Sequence, residues 1–99
     1  MSILITSANS ADAYQLKSKL NADEVILGDY EELPALMLKS GKMIQLPSPK
    51  SASYSHQMLT LCLDKGIDAV YPLREEEAIL LREAGQLFNE YGINIVDPQ

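Results

Sequence analysis

Five short apolar runs punctuate the chain at near-regular intervals: Ile3-Leu4-Ile5, Val25-Ile26-Leu27, Met43-Ile44-Gln45-Leu46, Ala69-Val70-Tyr71 and Ile93-Asn94-Ile95-Val96. The segments between them read as helices. Runs without strict apolar–polar alternation suit strands buried on both faces, as in a helix-covered parallel sheet. The last run alternates, as an edge strand would. A βαβαβαβαβ rhythm with right-handed crossovers predicts an α/β fold: a three-layer α/β/α sandwich around a parallel five-stranded sheet. The expected strand order is 3-2-1-4-5, with 2-1-3-4-5 as the second arrangement.

Helix boundaries follow from caps and spacing. A first helix over about Ser10 to Leu20 places Ala13, Leu16 and Leu20 on one face, behind a cap at Asn9 or Ser10. A second, short helix has Pro34 suited to its first position and Gly41 to the position past its end. The third opens after Pro49 with Ser51 or Ser53 as cap, turns Tyr54, Met58, Leu61 and Cys62 inward, and stops at Gly66. The fourth carries Glu75, Glu76 and Glu77 in its first turn, where the helix dipole favours negative charge. Leu80, Ala84, Leu87, Phe88 and Tyr91 then form its expected inner face, and Gly92 ends it.

At 99 residues, one domain spanning 1–99 and one core are expected, and 46% hydrophobic residues suffice to build it. A net charge of −6 with scattered Lys and Arg argues against nucleic acid and anionic membranes as partners. The single Cys62 allows no intrachain disulfide, and with His56 as the only histidine there is no Cys/His metal cluster. Cys62 reads as core and His56 as surface. Met1 leads straight into an apolar run without a basic leader region, and no stretch approaches a membrane span, so the expectation is a cytoplasmic protein.

Function in such folds gathers at the carboxyl ends of the strands. The first such loop, Thr6-Ser7-Ala8-Asn9-Ser10-Ala11, is rich in hydroxyls but lacks the glycines of a dinucleotide fingerprint. Its choices are ligand contact through a helix N-terminus or simple capping. Asp29 stands where a dinucleotide fold places its ribose-binding carboxylate, yet without the glycines it reads as a solvated acid capping the Glu31-Glu32 turn. Pro47-Ser48-Pro49 stiffens the third loop, as a rigid connection or a cleft wall. Pro72-Leu73-Arg74-Glu75-Glu76-Glu77 is the most distinctive stretch, with a cation and three carboxylates at a strand end and helix start. It fits either a site or plain dipole complementarity. A flavodoxin- or receiver-like signalling domain fits poorly. Tyr30 and Tyr71 are the only aromatic candidates for a flavin, and Ser7-Ala8 and Pro47-Ser48 stand where a receiver needs aspartates.

Three stretches together carry a family resemblance: Ile3-Leu4-Ile5-Thr6-Ser7-Ala8, Leu46-Pro47-Ser48-Pro49, and the run from Gly66-Ile67-Asp68-Ala69 through Glu77, with Phe88, Gly92 and Ile93 in support. The chain resembles, over nearly its whole length, the Rossmann-like N-terminal (pre-ATP-grasp) domain of carbamoyl-phosphate-synthase-like ATP-grasp ligases. In that family an ATP-binding lobe follows, and the N-terminal domain walls the acceptor-substrate side of the cleft. The sequence closes at Asp97-Pro98-Gln99, roughly where that lobe would begin. The resemblance therefore implies a domain that is not catalytic alone and holds no cofactor, its ATP-grasp lobe separate or removed. Pro72, Glu75 and Glu77 match the family's fourth-strand stretch, and Asn9 and Ser10 its first loop, which often has glycine. With Arg74 these are the candidate substrate-binding residues, for a small carboxylate or an amino acid. An apolar face near the carboxyl ends of the strands, left by the missing lobe, would allow self-association. The alternative is a stand-alone small-molecule or anion-binding protein, gripping its ligand with Asn9, Ser10, Arg74 and the first helix's N-terminus.

Overall fold

The computed structural model describes residues 1–20, 23–41 and 43–96. Strands β1 (Ser2–Ile5), β2 (Glu24–Asp29), β3 (Met43–Gln45), β4 (Ala69–Tyr71) and β5 (Asn94–Ile95) form one parallel sheet in the order β3-β2-β1-β4-β5. Register runs Ile5 beside Leu27 on one side and beside Tyr71 on the other. The ends of β2 and β4 therefore flank the end of β1, which decides what meets above the sheet.

Two cores explain the three layers. Leu4 and Val70 point to one face, where they meet Tyr54, Met58 and Cys62 of α3 (Tyr54–Lys65), Leu81 of α4 (Glu75–Glu83) and Phe88 of α5 (Gly85–Glu90). Ile3, Ile5 and Leu27 point to the other, under Ala13 and Leu16 of α1 (Ala11–Lys19) and Met37 of α2 (Ala35–Lys39). Alternate residues of one strand thus enter different cores. Each fully buried aliphatic side chain contributes about 1.5–3 kcal/mol of transfer free energy. The covered faces also explain why the strands lacked an apolar–polar period.

The helix ends are chemically specified. Ser10 caps α1, its Oγ accepting from the Ala13 amide at 3.3 Å. Gly66 ends α3 in the left-handed conformation, φ 67°, which costs glycine no steric strain. Ser53 stands at the cap of α3 but makes no side-chain cap bond. The expected fourth helix is two helices, broken at Ala84 (φ −94°, ψ 8°) just before Gly85. The break rotates the phase of the apolar stripe: Ala78, Leu81 and Phe88 are buried, whereas Tyr91 is 55% exposed. Its expected place on the inner face is therefore corrected. The closing Asp97-Pro98-Gln99 lies outside the described residues.

Candidate functional site

The carboxyl edge of the sheet is tied together by two buried carboxylates. Asp29, the last residue of β2, is 0% exposed, so the expectation of a solvated loop acid is overturned. It does cap the turn as expected, Oδ1 accepting from the Glu31 amide at 3.2 Å. It is also the partner of Arg74, whose Nη2 lies 3.1 Å from Oδ1 and 3.0 Å from Oδ2, and the Asn9 amide approaches Oδ2 at 3.4 Å. Asp29 is buried because β2 and β4 flank β1, so that Arg74 reaches it across the Thr6-Ser7-Ala8 turn.

Arg74 is held from three directions. Besides Asp29, Nη2 donates to Glu31 Oε1 at 2.7 Å, and the guanidinium carbon stands 4.9 Å from the centroid of the Tyr30 ring. Tyr30 in turn donates to Glu76 Oε1 at 2.9 Å, and this bond holds the phenol proton above its ordinary range. Burial works against the Arg74 charge, but the bonds and attraction of Asp29 and Glu31 outweigh it and raise the pKa. Its cation is already matched by two carboxylates. An incoming anion would have to displace one of them, which weakens the reading of this loop as a ready-made anion grip.

The second carboxylate is Glu77 in the first turn of α4, also 0% exposed. Dipole complementarity, which accounts for the exposed Glu75 and Glu76, does not explain a residue sealed from water. Oε1 accepts from the Tyr54 hydroxyl at 3.0 Å, while Oε2 has no hydrogen-bond partner among the described residues. Burial pushes Glu77 above the usual carboxylate range. The Tyr54 and Thr6 hydroxyls and the Arg74 charge oppose that shift, and Asp29 reinforces it. Tyr54 is raised as well, chiefly by its own burial and then by Glu77.

The first loop contains a conformation that the sequence hid. Ser7 has φ 59°, the left-handed region otherwise left to glycine. The turn is held by the Thr6 amide on Tyr71 O at 3.1 Å, the Ala8 amide on Gly28 O at 3.0 Å, and the Ser10 amide and hydroxyl on Ser7 O, each at 2.9 Å. Thr6 Oγ1 accepts from the Leu73 amide at 2.9 Å, joining this turn to the β4–α4 loop. Gly28 has a separate reason: a Cβ there would stand 2.9 Å from Leu46 Cγ, so glycine lets β3's outgoing chain close on β2.

Of the six candidate residues, Asn9 and Glu75 are exposed and Ser10 and Arg74 half-buried, all along this edge. Pro72 and Glu77 are buried, Pro72 at the wall of a small depression with Ala78, Arg82, Gly85 and Ile95. The sequence reading missed Asp29 and Tyr54 as partners of Arg74 and Glu77. An open depression lined by Arg74, Glu75, Glu76 and Ile79 lies beside them. The edge exposes Asn9, Glu31, Glu32, Glu75 and Glu76, and large exposed apolar side chains are dispersed over α1, α2, α3 and α4 at Tyr14, Leu36, Leu63 and Ile79. Cys62 is fully buried and its thiol is pushed up to about 12, so it offers no thiolate near neutrality; His56 is exposed.

A parallel sheet in this order with its polar network at the carboxyl edge is common to many folds, and the family is decided by sequence. Residues 3–96 match the family described as PylC-like, N-terminal domain. The chain belongs to that family. This is the pre-ATP-grasp domain of ATP-grasp ligases, so the fold and the resemblance read from the sequence agree. No curated protein matches the chain. No helix among the described residues of this PylC-like domain is long and apolar enough to cross a membrane, and no cluster of three or more His, Cys, Asp or Glu among them could hold a metal ion.

Proposed function

We propose that this PylC-like domain forms the acceptor-substrate wall of an ATP-grasp ligase cleft and is not catalytic alone. The nucleotide chemistry belongs to an ATP-grasp lobe on a partner chain or absent from this sequence. The observation that carries the reading is the Arg74 guanidinium, fixed at the carboxyl edge by Asp29 and Glu31 beside the exposed Asn9 and Glu75. A rigid polar wall of this kind suits a surface that orients a small acceptor while another lobe activates the reaction partner.

The edge carries more acid than base: Glu31, Glu75 and Glu76 are exposed around one guanidinium already paired with a buried carboxylate. An acceptor with an amino group therefore suits it better than a simple carboxylate. Thermal-shift measurements with amino acids, alkylamines, simple carboxylates and magnesium–ATP test this, because a ligand of the folded state raises the melting temperature by mass action. Stabilisation by an amino acid, lost in Glu75→Gln, is the expected result. Stabilisation by magnesium–ATP alone would overturn the assignment of nucleotide binding to another lobe.

A further inference from the structure

Glu77 faces groups from α3, the Thr6 turn, the β4–α4 loop and β2, yet one of its oxygens makes no hydrogen bond among the described residues. Its Oε1 is bonded to Tyr54, the first residue of α3. Thr6, at the end of β1, lies beside the carboxyl and holds the Leu73 amide, one residue before Arg74. Glu77 itself lies in the first turn of α4. The groups facing it are thus the Tyr54 hydroxyl from α3, the Thr6 hydroxyl from β1, Arg74 from the β4–α4 loop and Asp29 from β2, with Cys62 and Glu76 acting on Tyr54 behind them.

We propose that Glu77 is a proton-linked latch: with its proton on, it holds the Thr6 turn, α3 and the Leu73-Arg74 segment in one arrangement, and with its proton off it loosens them. The physical reason is the half-made hydrogen bonding. A carboxylate shut away from water is disfavoured unless its lone pairs are filled, and here Oε2 makes no hydrogen bond among the described residues, with the Thr6 hydroxyl as the nearby donor. Opposing this, the α4 N-terminus and Arg74 attract the anion. Burial outweighs them and raises the carboxyl above its ordinary range, so the closed edge holds the proton more tightly than water does. Loss of the proton places a charge below the Thr6 turn, and the least costly response is for that turn and Leu73-Arg74 to move and admit water. The consequence is a binding edge whose order is set by pH.

The latch can be tested without any ligand, so its failure is separable from failure of the proposed function. In NMR titrations of the whole protein, the Glu77 side-chain carboxyl carbon should titrate above the ordinary glutamate range. The amides of Ser7, Ala8, Asn9, Leu73 and Arg74 should shift with the same midpoint. Glu77→Gln should freeze those amides near their low-pH positions and remove the shared transition. Tyr54→Phe, which removes a donor that favours the anion, should move the midpoint upward and keeps the test open should Glu77→Gln not fold. A Glu77 midpoint at the ordinary value, or edge amides that titrate with a different midpoint, would overturn the proposal.

Discussion

Asp29 and Glu77 are both carboxylates with no exposed surface, at the same edge of the same sheet, yet they are partnered very differently. Both Asp29 oxygens are filled, by a guanidinium and two backbone amides. Glu77 accepts from one phenol, while its other oxygen makes no hydrogen bond among the described residues and has only the Thr6 hydroxyl nearby. The difference shows that burial alone does not fix a carboxylate's charge. Partners matter as well: Asp29 is braced by a facing guanidinium, while Glu77 has hydroxyl neighbours and is raised above the usual carboxylate range by burial.

The contrast is broken most sharply by removing the brace. Asp29→Ala strips Arg74 of its buried partner and leaves the Asn9 and Glu31 amides without an acceptor. Removing one member of a buried pair costs about 3–5 kcal/mol, and with Arg74 24% exposed the loss here should be near the lower end, about 3 kcal/mol. Urea denaturation measures it. A loss below about 1 kcal/mol would show that Glu31 and water replace Asp29.

Glu77 should instead reveal itself through pH. Its folded pKa is raised above the reference 4.5, so the folded state binds the proton more tightly. Its stabilising contribution is complete below the unfolded value and is lost as pH rises through the folded one. Wild-type stability should therefore fall over that interval relative to Glu77→Gln, which has no proton to lose. Tyr54→Phe should cost about 1–2 kcal/mol above the folded midpoint, where the carboxylate loses the donor on Oε1, and less in acid. Parallel denaturation series across pH decide it. A Tyr54→Phe penalty that is the same at every pH would mean that the hydroxyl only packs.

How much of this was legible in the sequence depends on whether a residue's partner was near in sequence. The strands, the order β3-β2-β1-β4-β5 and the caps at Ser10 and Gly66 follow from local patterns and chain-crossing rules. Asp29 and Arg74 are 45 positions apart, and only the strand order brings them together. That order was in hand, and β2 and β4 flanking β1 pointed to the pair. Glu77 also left a signal. It lies four residues before Leu81 and eleven before Phe88, both buried, so it stands on the inner stripe of the helix. The stripe read through Leu80, Ala84, Leu87, Phe88 and Tyr91 starts after Glu77 and so concealed it, and Gly85 was the local sign of the break at Ala84 that displaces Tyr91. Ser7's left-handed turn had no glycine to mark it.

The smallest effect belongs to the outer partner of the same arginine. Glu31 meets Arg74 at 2.7 Å, closer than Asp29 does, but its side chain is 53% exposed. Distance would rank it as the stronger pair; exposure reverses the ranking, because water and salt screen a surface charge that cannot screen Asp29. Glu31→Gln should therefore cost no more than about 0.5 kcal/mol in low salt, and the difference should vanish as salt is raised. Arg74 would stay bound to Asp29 and stacked near Tyr30. Should Glu31→Gln instead match the cost of Asp29→Ala and resist salt, the guanidinium is held from outside, and the edge would be fixed by its surface rather than by its buried brace.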